Sequence, residues 1–114
     1  MNAVARDIEY AATAVRAANH STMRGGLDGP ETGAVVENLV DLVQRLPQVL
    51  DFLVRSLRRA DPTAHDDDRG RDPADALAVA GAQVLDARDL LDAVRDHLDN
   101  AHQQLGHLGR RMED

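Results

Sequence analysis

The sequence predicts an all-α fold, a three-helix bundle whose helices run up, down and up. The first observation is an apolar heptad spacing, alternately three and four, that runs unbroken from Leu77 to Leu108, a repeat that no strand could use. A second stripe of the same period runs from Val36 to Leu57. The third observation is composition: 43% of the residues are hydrophobic but only 2% are aromatic. The core must therefore be aliphatic, as helix-on-helix packing allows.

Length and charge limit the function classes. A chain of 114 residues is long enough for one domain, 1–114, with a modest core. It has no cysteine and therefore no disulfide or thiolate chemistry. A formal net charge of -7 argues against wide nucleic-acid contact, which needs clustered positive charge. No apolar run is long enough to cross a bilayer, and residues 1–10 lack the apolar region of a signal peptide. We expect a cytoplasmic protein.

The first helix is predicted over about residues 2–22. Its apolar positions repeat alternately at four and three residues, and they are Val4, Ile8, Ala11, Val15 and Ala18. Because several of these side chains are small, we expect this helix to dock on the bundle rather than to nucleate it. Gly25 and Gly26 end the helix.

The second helix is predicted over about residues 30–60, with Pro30 in its first turn. Residues beside the main stripe are also apolar, and they are Val35, Val40, Leu42, Val49 and Val54. An apolar face this wide implies two or more neighbouring helices. Pro47 removes one backbone hydrogen bond, but the stripe keeps its phase across it. We therefore expect one kinked helix rather than two.

The third helix is predicted over about residues 73–110. Asp72 can cap its first turn and Pro73 suits the first helical position. Between the two long helices, residues 61–72 are charged and almost free of apolar anchors. This composition predicts a mobile loop. The second and third helices then form a long antiparallel hairpin.

The stripes predict an assembly. The short first helix pairs with the first half of the second helix, which leaves the far end of the hairpin without a third helix. A bare aliphatic stripe is uncommon in a monomer, so we expect the bundle to dimerise, with a C2 homodimer as the commonest solution. Another helical protein is the alternative partner. The predicted interface residues are Leu53, Val54, Leu57, Leu77, Val84 and Leu85.

The function predicted from these features is that of a non-enzymatic helical interaction protein: an adaptor, a scaffold or an accessory factor. No catalytic residue, cofactor or metal is expected. His65 and the adjacent run Asp66–Asp68 could suggest a cation site, but a flexible loop does not fix several oxygens around an ion. The histidines at 97, 102 and 107 turn by about 140° per step on a helix and do not share a face.

Two other functions stay open. The segment from His20 to Gly25 resembles the histidine, basic residue and glycine of histidine phosphotransfer domains, with Arg24 and Gly25 each one position later than in that family. The resemblance implies a phosphoryl relay through His20. The other alternative is a nucleic-acid-associated regulator that uses the terminal arginine clusters, which are Arg55, Arg58, Arg59, Arg110 and Arg111.

A first prediction follows from the expected interface. Replacing both Leu57 and Val84 with aspartate places charges in the apolar stripe and should give a monomer by light scattering. A mass that stays dimeric would show that the interface lies elsewhere.

Overall fold

The computed structural model describes residues 2–109 and residue 111. These residues form three α-helices: α1 (Ala3–Ser21), α2 (Gly29–Arg59) and α3 (Pro73–Leu105). Two short 3-10 helices, Thr22–Arg24 and Pro62–Ala64, occupy the connections. The described part of the chain contains no strand. The predicted all-α, three-helix fold is confirmed.

Each long helix begins at a polar cap. The Asp28 carboxylate accepts a hydrogen bond from the Glu31 amide at 2.8 Å, and the Glu31 carboxylate accepts one from the Asp28 amide at 3.3 Å. This reciprocal box pairs two backbone donors that a helix start leaves without an intrahelical partner. Asp72 caps α3 by accepting from Ala74 at 3.0 Å, with Pro73 at the first helical position. The predicted start of the third helix is confirmed.

Two other predictions concern helix continuity and length. Pro47 lies inside α2, which is a single helix from end to end, as the unbroken stripe predicted. α3 ends at Leu105, before the predicted boundary near residue 110. Gly106 follows Leu105 and has the weak helix propensity of glycine, about 1 kcal/mol below alanine. Arg110, the predicted end of the helix, lies outside the described residues.

α2 and α3 pack against each other as an antiparallel hairpin. Three pairs fix their register. Leu57 lies level with Gly81, where an added Cβ would be 4.0 Å from the leucine Cβ. The Asp51 carboxylate accepts from the Arg88 guanidinium at 3.0 Å. An added Cβ on Gly33 would lie 3.6 Å from that of Leu105.

The hairpin has very little enclosed interior. Val43 and Val54, 8% and 5% exposed, are the only buried residues in the described chain. The molecule measures 73 × 26 × 24 Å, so it is one or two helices thick over most of its length. A pair of helices can cover only one stripe of each, and the remaining apolar flanks stay open to solvent.

α1 runs back beside α2 without packing closely on it. Val4, near the start of α1, lines a shallow cleft of about 440 Å³ together with Val49 and Phe52 of α2. No Cα atom of α1 lies within 8 Å of one in α2 or α3, and every residue of α1 is exposed. The predicted pairing with α2 is therefore loose. The small side chains at Ala11 and Ala18 explain this, because each buries little apolar area and gains about 25 cal/mol per Å².

None of the described helices is both long enough and apolar enough to cross a bilayer.

The register predicts the effect of a substitution at Gly81. Gly81→Ala should raise the free energy of unfolding by about 1 kcal/mol, because glycine is a weak residue in a helix interior and the new methyl group has room beside Leu57. For a domain of this size, that is a rise in Tm of about 5 °C. Gly70→Ala is the control and should lower Tm, since Gly70 has φ +74, a conformation that alanine resists. A lower Tm for Gly81→Ala would mean that the helices approach more closely than the structure shows.

Candidate helix-docking surface

The outer flanks of the hairpin are best described relative to the residues that pack between its helices. On α2 the half-buried or buried residues facing α3 recur at alternate spacings of four and three. They are Val36, Val40, Val43, Pro47, Leu50, Val54 and Leu57. The facing residues on α3 follow the same spacing. They are Leu77, Gly81, Val84, Arg88, Leu91, Arg95, Leu98, His102 and Leu105.

An apolar row lies beside the facing residues of α2. It consists of the residues immediately before the first six of those facing positions, and we call it the α2 row. Its members are Val35, Leu39, Leu42, Leu46, Val49 and Leu53. Val35 is 47% exposed and Leu39 is 39% exposed, although both are large apolar side chains. The packing of α3 therefore leaves four of the six members exposed, whereas Leu46 and Val49 are half-buried.

A second row lies in the same relation to the facing residues of α3. We call it the α3 row, and its side chains are smaller. Its members precede the facing residues from Gly81 to Leu105, and all of them are exposed: Ala80, Gln83, Ala87, Leu90, Val94, His97, Ala101 and Gln104. Four of them belong to the predicted heptad stripe, namely Ala80, Ala87, Val94 and Ala101. Four of the ten positions of that stripe thus point away from the hairpin contact.

The two rows lie on the same side of the hairpin. Each residue turns about 100° around a right-handed helix, so both rows are displaced by one such step, in the same sense, from the facing residues. In an antiparallel pair, equal displacements bring the two rows to one side. The structure confirms the rule on the opposite side, where Arg58, Ala78 and Ala82, each one step after a facing residue, line a single groove. We call the side formed by the α2 row and the α3 row the apolar side.

The opposite side of the hairpin carries charge. Residues one step after the facing positions include Glu37 and Asp41 on α2 and a series of aspartates on α3, which are Asp89, Asp92, Asp96 and Asp99. The Asp51–Arg88 ion pair lies between the helices, with side chains 39% and 33% exposed. The Asp51 carboxylate raises the pKa of the Arg88 guanidinium by accepting its hydrogen bond. The apolar side, by contrast, contains no arginine, aspartate or glutamate.

α1 does not fill the apolar side. A helix lying in the furrow between the α2 row and the α3 row would contact both helices. No Cα atom of α1 comes within 8 Å of either. Leu90 and Val94 of the α3 row are 68% and 44% exposed. The furrow is therefore open to a helix other than those that the structure describes.

The six interface residues predicted from the sequence fall into different environments. Val54 is buried, and Leu57, Leu77 and Val84 are half-buried in the contact between α2 and α3. Leu53 and Leu85 are each 37% exposed, but Leu53 belongs to the apolar side and Leu85 to the opposite one. The predicted interface stays a prediction. Aspartates at Leu57 and Val84 would also loosen the hairpin, so the exposed rows give a cleaner test of association.

A groove of about 450 Å³ lies at the loop end of the hairpin, on the side of Leu85. It is lined by four of the predicted interface residues, Val54, Leu57, Leu77 and Leu85, and by Arg58 at its rim. Sequence reasoning found this apolar concentration from the stripe alone. It did not find the α2 row as a separate surface, although the spacing from Val35 to Leu53 was readable.

The residues of the two alternative functions lie apart. His20 is exposed in the last turn of α1, and Arg24 follows in the 3-10 helix before Gly25. Arg55, Arg58 and Arg59 are exposed at the end of α2, whereas Arg111 is near the opposite end of the hairpin. Arg110 lies outside the described residues.

The charged loop, 61–72, contains local order. Asp61 accepts from the Thr63 amide at 2.9 Å and from the Thr63 hydroxyl at 2.7 Å, and these bonds lower its pKa. Asp67, whose side chain is only 4% exposed, pairs with the Arg69 guanidinium at 2.8 Å. No group of three or more acidic, histidine or cysteine side chains suited to a metal ion occurs among residues 2–109 and 111.

The Asp67–Arg69 pair makes a prediction about pH. The hydrogen bonds from the side chain and the backbone of Arg69 hold the pKa of Asp67 below its ordinary value. The ionised carboxylate therefore stabilises the loop above the ordinary carboxyl range, and that contribution is lost as the pH falls through the lowered pKa. Arg69→Gln should raise the pKa of Asp67 toward about 3.9, as measured by carbon NMR of the carboxyl group.

Arg71→Gln is the matched control, because it removes an exposed arginine two residues further along the same loop. It should leave the pKa of Asp67 unchanged. An Asp67 that titrates at the ordinary carboxyl pKa in the native chain would show that the pair does not persist in solution.

Comparison with known protein families, curated protein sequences and solved structures finds no significant match to this chain.

Proposed function

We propose that the chain is a non-enzymatic helical interaction protein, an adaptor, scaffold or accessory factor, that docks helices on its apolar side. The observation that carries the proposal is an uncharged surface, formed by the α2 row and the α3 row, that none of the three described helices fills. The hairpin of α2 and α3 holds these two rows side by side.

Leaving such an apolar surface in water costs free energy. Large apolar patches are rare on monomeric proteins, and those that occur commonly mark interaction sites. Leu39 and Leu42 are 39% and 37% exposed, so each can still lose a large part of its apolar area to a partner. Burying apolar area stabilises a complex by about 25 cal/mol per Å², and a helix in the furrow would bury apolar area of both rows.

The shape of the surface favours a helix over other partners. Two rows of side chains with heptad spacing form ridges with a furrow between them. Residues of another heptad-patterned helix can insert there as knobs into holes. Alanines at 80, 87 and 101 let the backbone of such a helix approach α3 closely.

The other functional predictions stay predictions. The proposal assigns the chain no reaction, cofactor or metal. A phosphoryl relay through His20, a nucleic-acid role for the arginine clusters and a cytoplasmic location are each independent of the apolar side.

The proposal predicts that helix docking depends on the α2 row. A fluorescein-labelled amphipathic peptide with a leucine–alanine heptad serves as the probe, and its anisotropy is measured against increasing concentrations of the chain. The native chain should either self-associate or bind this peptide saturably. Leu39→Gln together with Leu42→Gln should weaken both events at least tenfold, because glutamine preserves helix propensity but not apolar burial.

The control carries Gln44→Ala and Gln48→Ala on the charged side of α2 and should behave as the native chain does. Circular dichroism should give equal helix content for all three proteins. A native chain that stays monomeric and does not bind the peptide would refute the proposed function.

A further inference from the structure

We infer that the helix pair that covers the apolar side belongs to a second copy of this chain, joined by a two-fold axis parallel to the helices. The inference rests on the proposed function and names the occupant of the same surface. In this dimer the α2 row of each chain packs on the partner's α3 row, and the two hairpins form an antiparallel four-helix bundle.

The solvent-exposed surface area of the chain favours a dimer. The chain exposes 9139 Å² of surface, whereas a compact monomer of 12.4 kDa exposes about 6,100 Å². The excess is about 3,000 Å² for each chain. Obligate homodimers bury roughly 2,000–5,000 Å² in total, which is about 1,000–2,500 Å² per chain, so one symmetric contact along the hairpin can account for part of the excess.

The distribution of charge favours the apolar side as the contact surface between the two copies. Two copies of a chain with a net charge of -7 repel each other, and the repulsion is least when their acidic surfaces are far apart. Asp89, Asp92, Asp96 and Asp99 lie on the charged side. Contact through the two apolar sides keeps these carboxylates outward and in water.

The sizes of the side chains in the two rows favour a two-fold axis parallel to the helices. The α2 row consists of leucine and valine, whereas the α3 row carries alanine at 80, 87 and 101. A two-fold axis parallel to the helices places each α2 over the partner's α3, so large side chains meet small ones. A two-fold axis across the helices would stack one α2 row on the other and leave the alanine rows facing a gap.

The same axis also fixes the register between the chains. Rotation about an axis parallel to the helices leaves every residue at its own height. Residues that are level within one hairpin are therefore level across the interface. Leu39 is six residues beyond Gly33 and Ala101 is four before Leu105, so with Gly33 level with Leu105 the two lie within about 3 Å along the axis. Leu39 should meet the partner's Ala101.

Nearest neighbours in this bundle all run antiparallel. α2 and α3 are antiparallel within each chain, and the parallel two-fold axis places each α2 antiparallel to the partner's α3 as well. This arrangement pairs helix dipoles of opposite direction. It also has the isologous contact that a C2 dimer requires, since the α2 row of each chain meets the α3 row of the other.

The decisive experiment is a disulfide test of the register. The native chain has no cysteine, so two single-cysteine variants, Leu39→Cys and Ala101→Cys, can be mixed and oxidised. A disulfide needs Cα atoms within about 7 Å, which the proposed contact supplies. We expect a mixed disulfide dimer on a non-reducing gel at more than tenfold the yield of the control pair.

The matched control uses Glu37→Cys mixed with Gln103→Cys. This pair has the same offset along the axis, but it lies on the charged side and should not cross-link. Efficient cross-linking of Leu39→Cys with itself, in place of the mixed pair, would overturn the parallel axis. A control pair that cross-links as well as the Leu39–Ala101 pair would overturn the choice of side.

A second variant tests the interface without cysteine. Ala87→Glu with Ala101→Glu places two charges in the α3 row at exposed helical positions, where glutamate is compatible with the helix. Light scattering should give twice 12.4 kDa for the native chain and a single chain for this variant. Ala93→Glu with Gln103→Glu adds the same two negative charges away from the apolar side and should stay dimeric.

The outcomes separate this inference from the proposed function. A native chain that is monomeric at micromolar concentration but binds the heptad peptide overturns the second copy and leaves helix docking intact. A native chain that neither dimerises nor binds the peptide overturns both. A dimer that survives Ala87→Glu with Ala101→Glu overturns the proposed contact.

Discussion

The antiparallel contact between α2 and α3 is the interaction on which every other feature depends. It is made by heptad-spaced residues that lie level in one register, as Leu57 with Gly81 and Gly33 with Leu105 show. A helix of this length gains most of its stability from packing rather than from propensity. This one contact therefore supports both long helices, and it decides which of their flanks remain in water.

A two-helix contact cannot satisfy a wide apolar face. Val43 and Val54 are buried between the helices, yet the residues immediately before them, Leu42 and Leu53, are also large and apolar. The structure gives that excess a location, because the surplus from α2 and the small residues of α3 lie on the same side. Carboxylates occupy the opposite side. The hairpin is thus apolar on one side and, apart from the apolar groove at its loop end, charged on the other, which is the division expected of a layer that packs against a second layer.

α1 and the loop between α2 and α3 have little apolar area to bury against the hairpin. α1 is a capped helix, since Asn2 accepts from the Ala5 amide at 2.8 Å, but its alanine-rich stripe leaves it beside α2 without close packing. The loop between α2 and α3 has little apolar area beyond Pro62, which lines the groove beside Leu57, and is held by short-range bonds such as Asp67 to Arg69. Both segments are organised locally, and neither covers the apolar side of the hairpin.

Several features of the protein could be predicted from its sequence alone. Heptad spacing identified the helices, Asp72 and Pro73 marked the start of α3, and the unbroken stripe across Pro47 indicated one helix. These features are local, because each depends on residues within a few turns of one another. The sequence also predicted that the stripes carry more apolar area than the helices of one chain cover. The placement of that area was not readable, since Ala80, Ala87 and Ala101 share a stripe with Leu77 and Leu91. Only the rotation of α3 about its own axis decided which of them face α2. That rotation depends on how two separate helices fit together, and for this reason the tertiary structure alone identified the candidate docking surface.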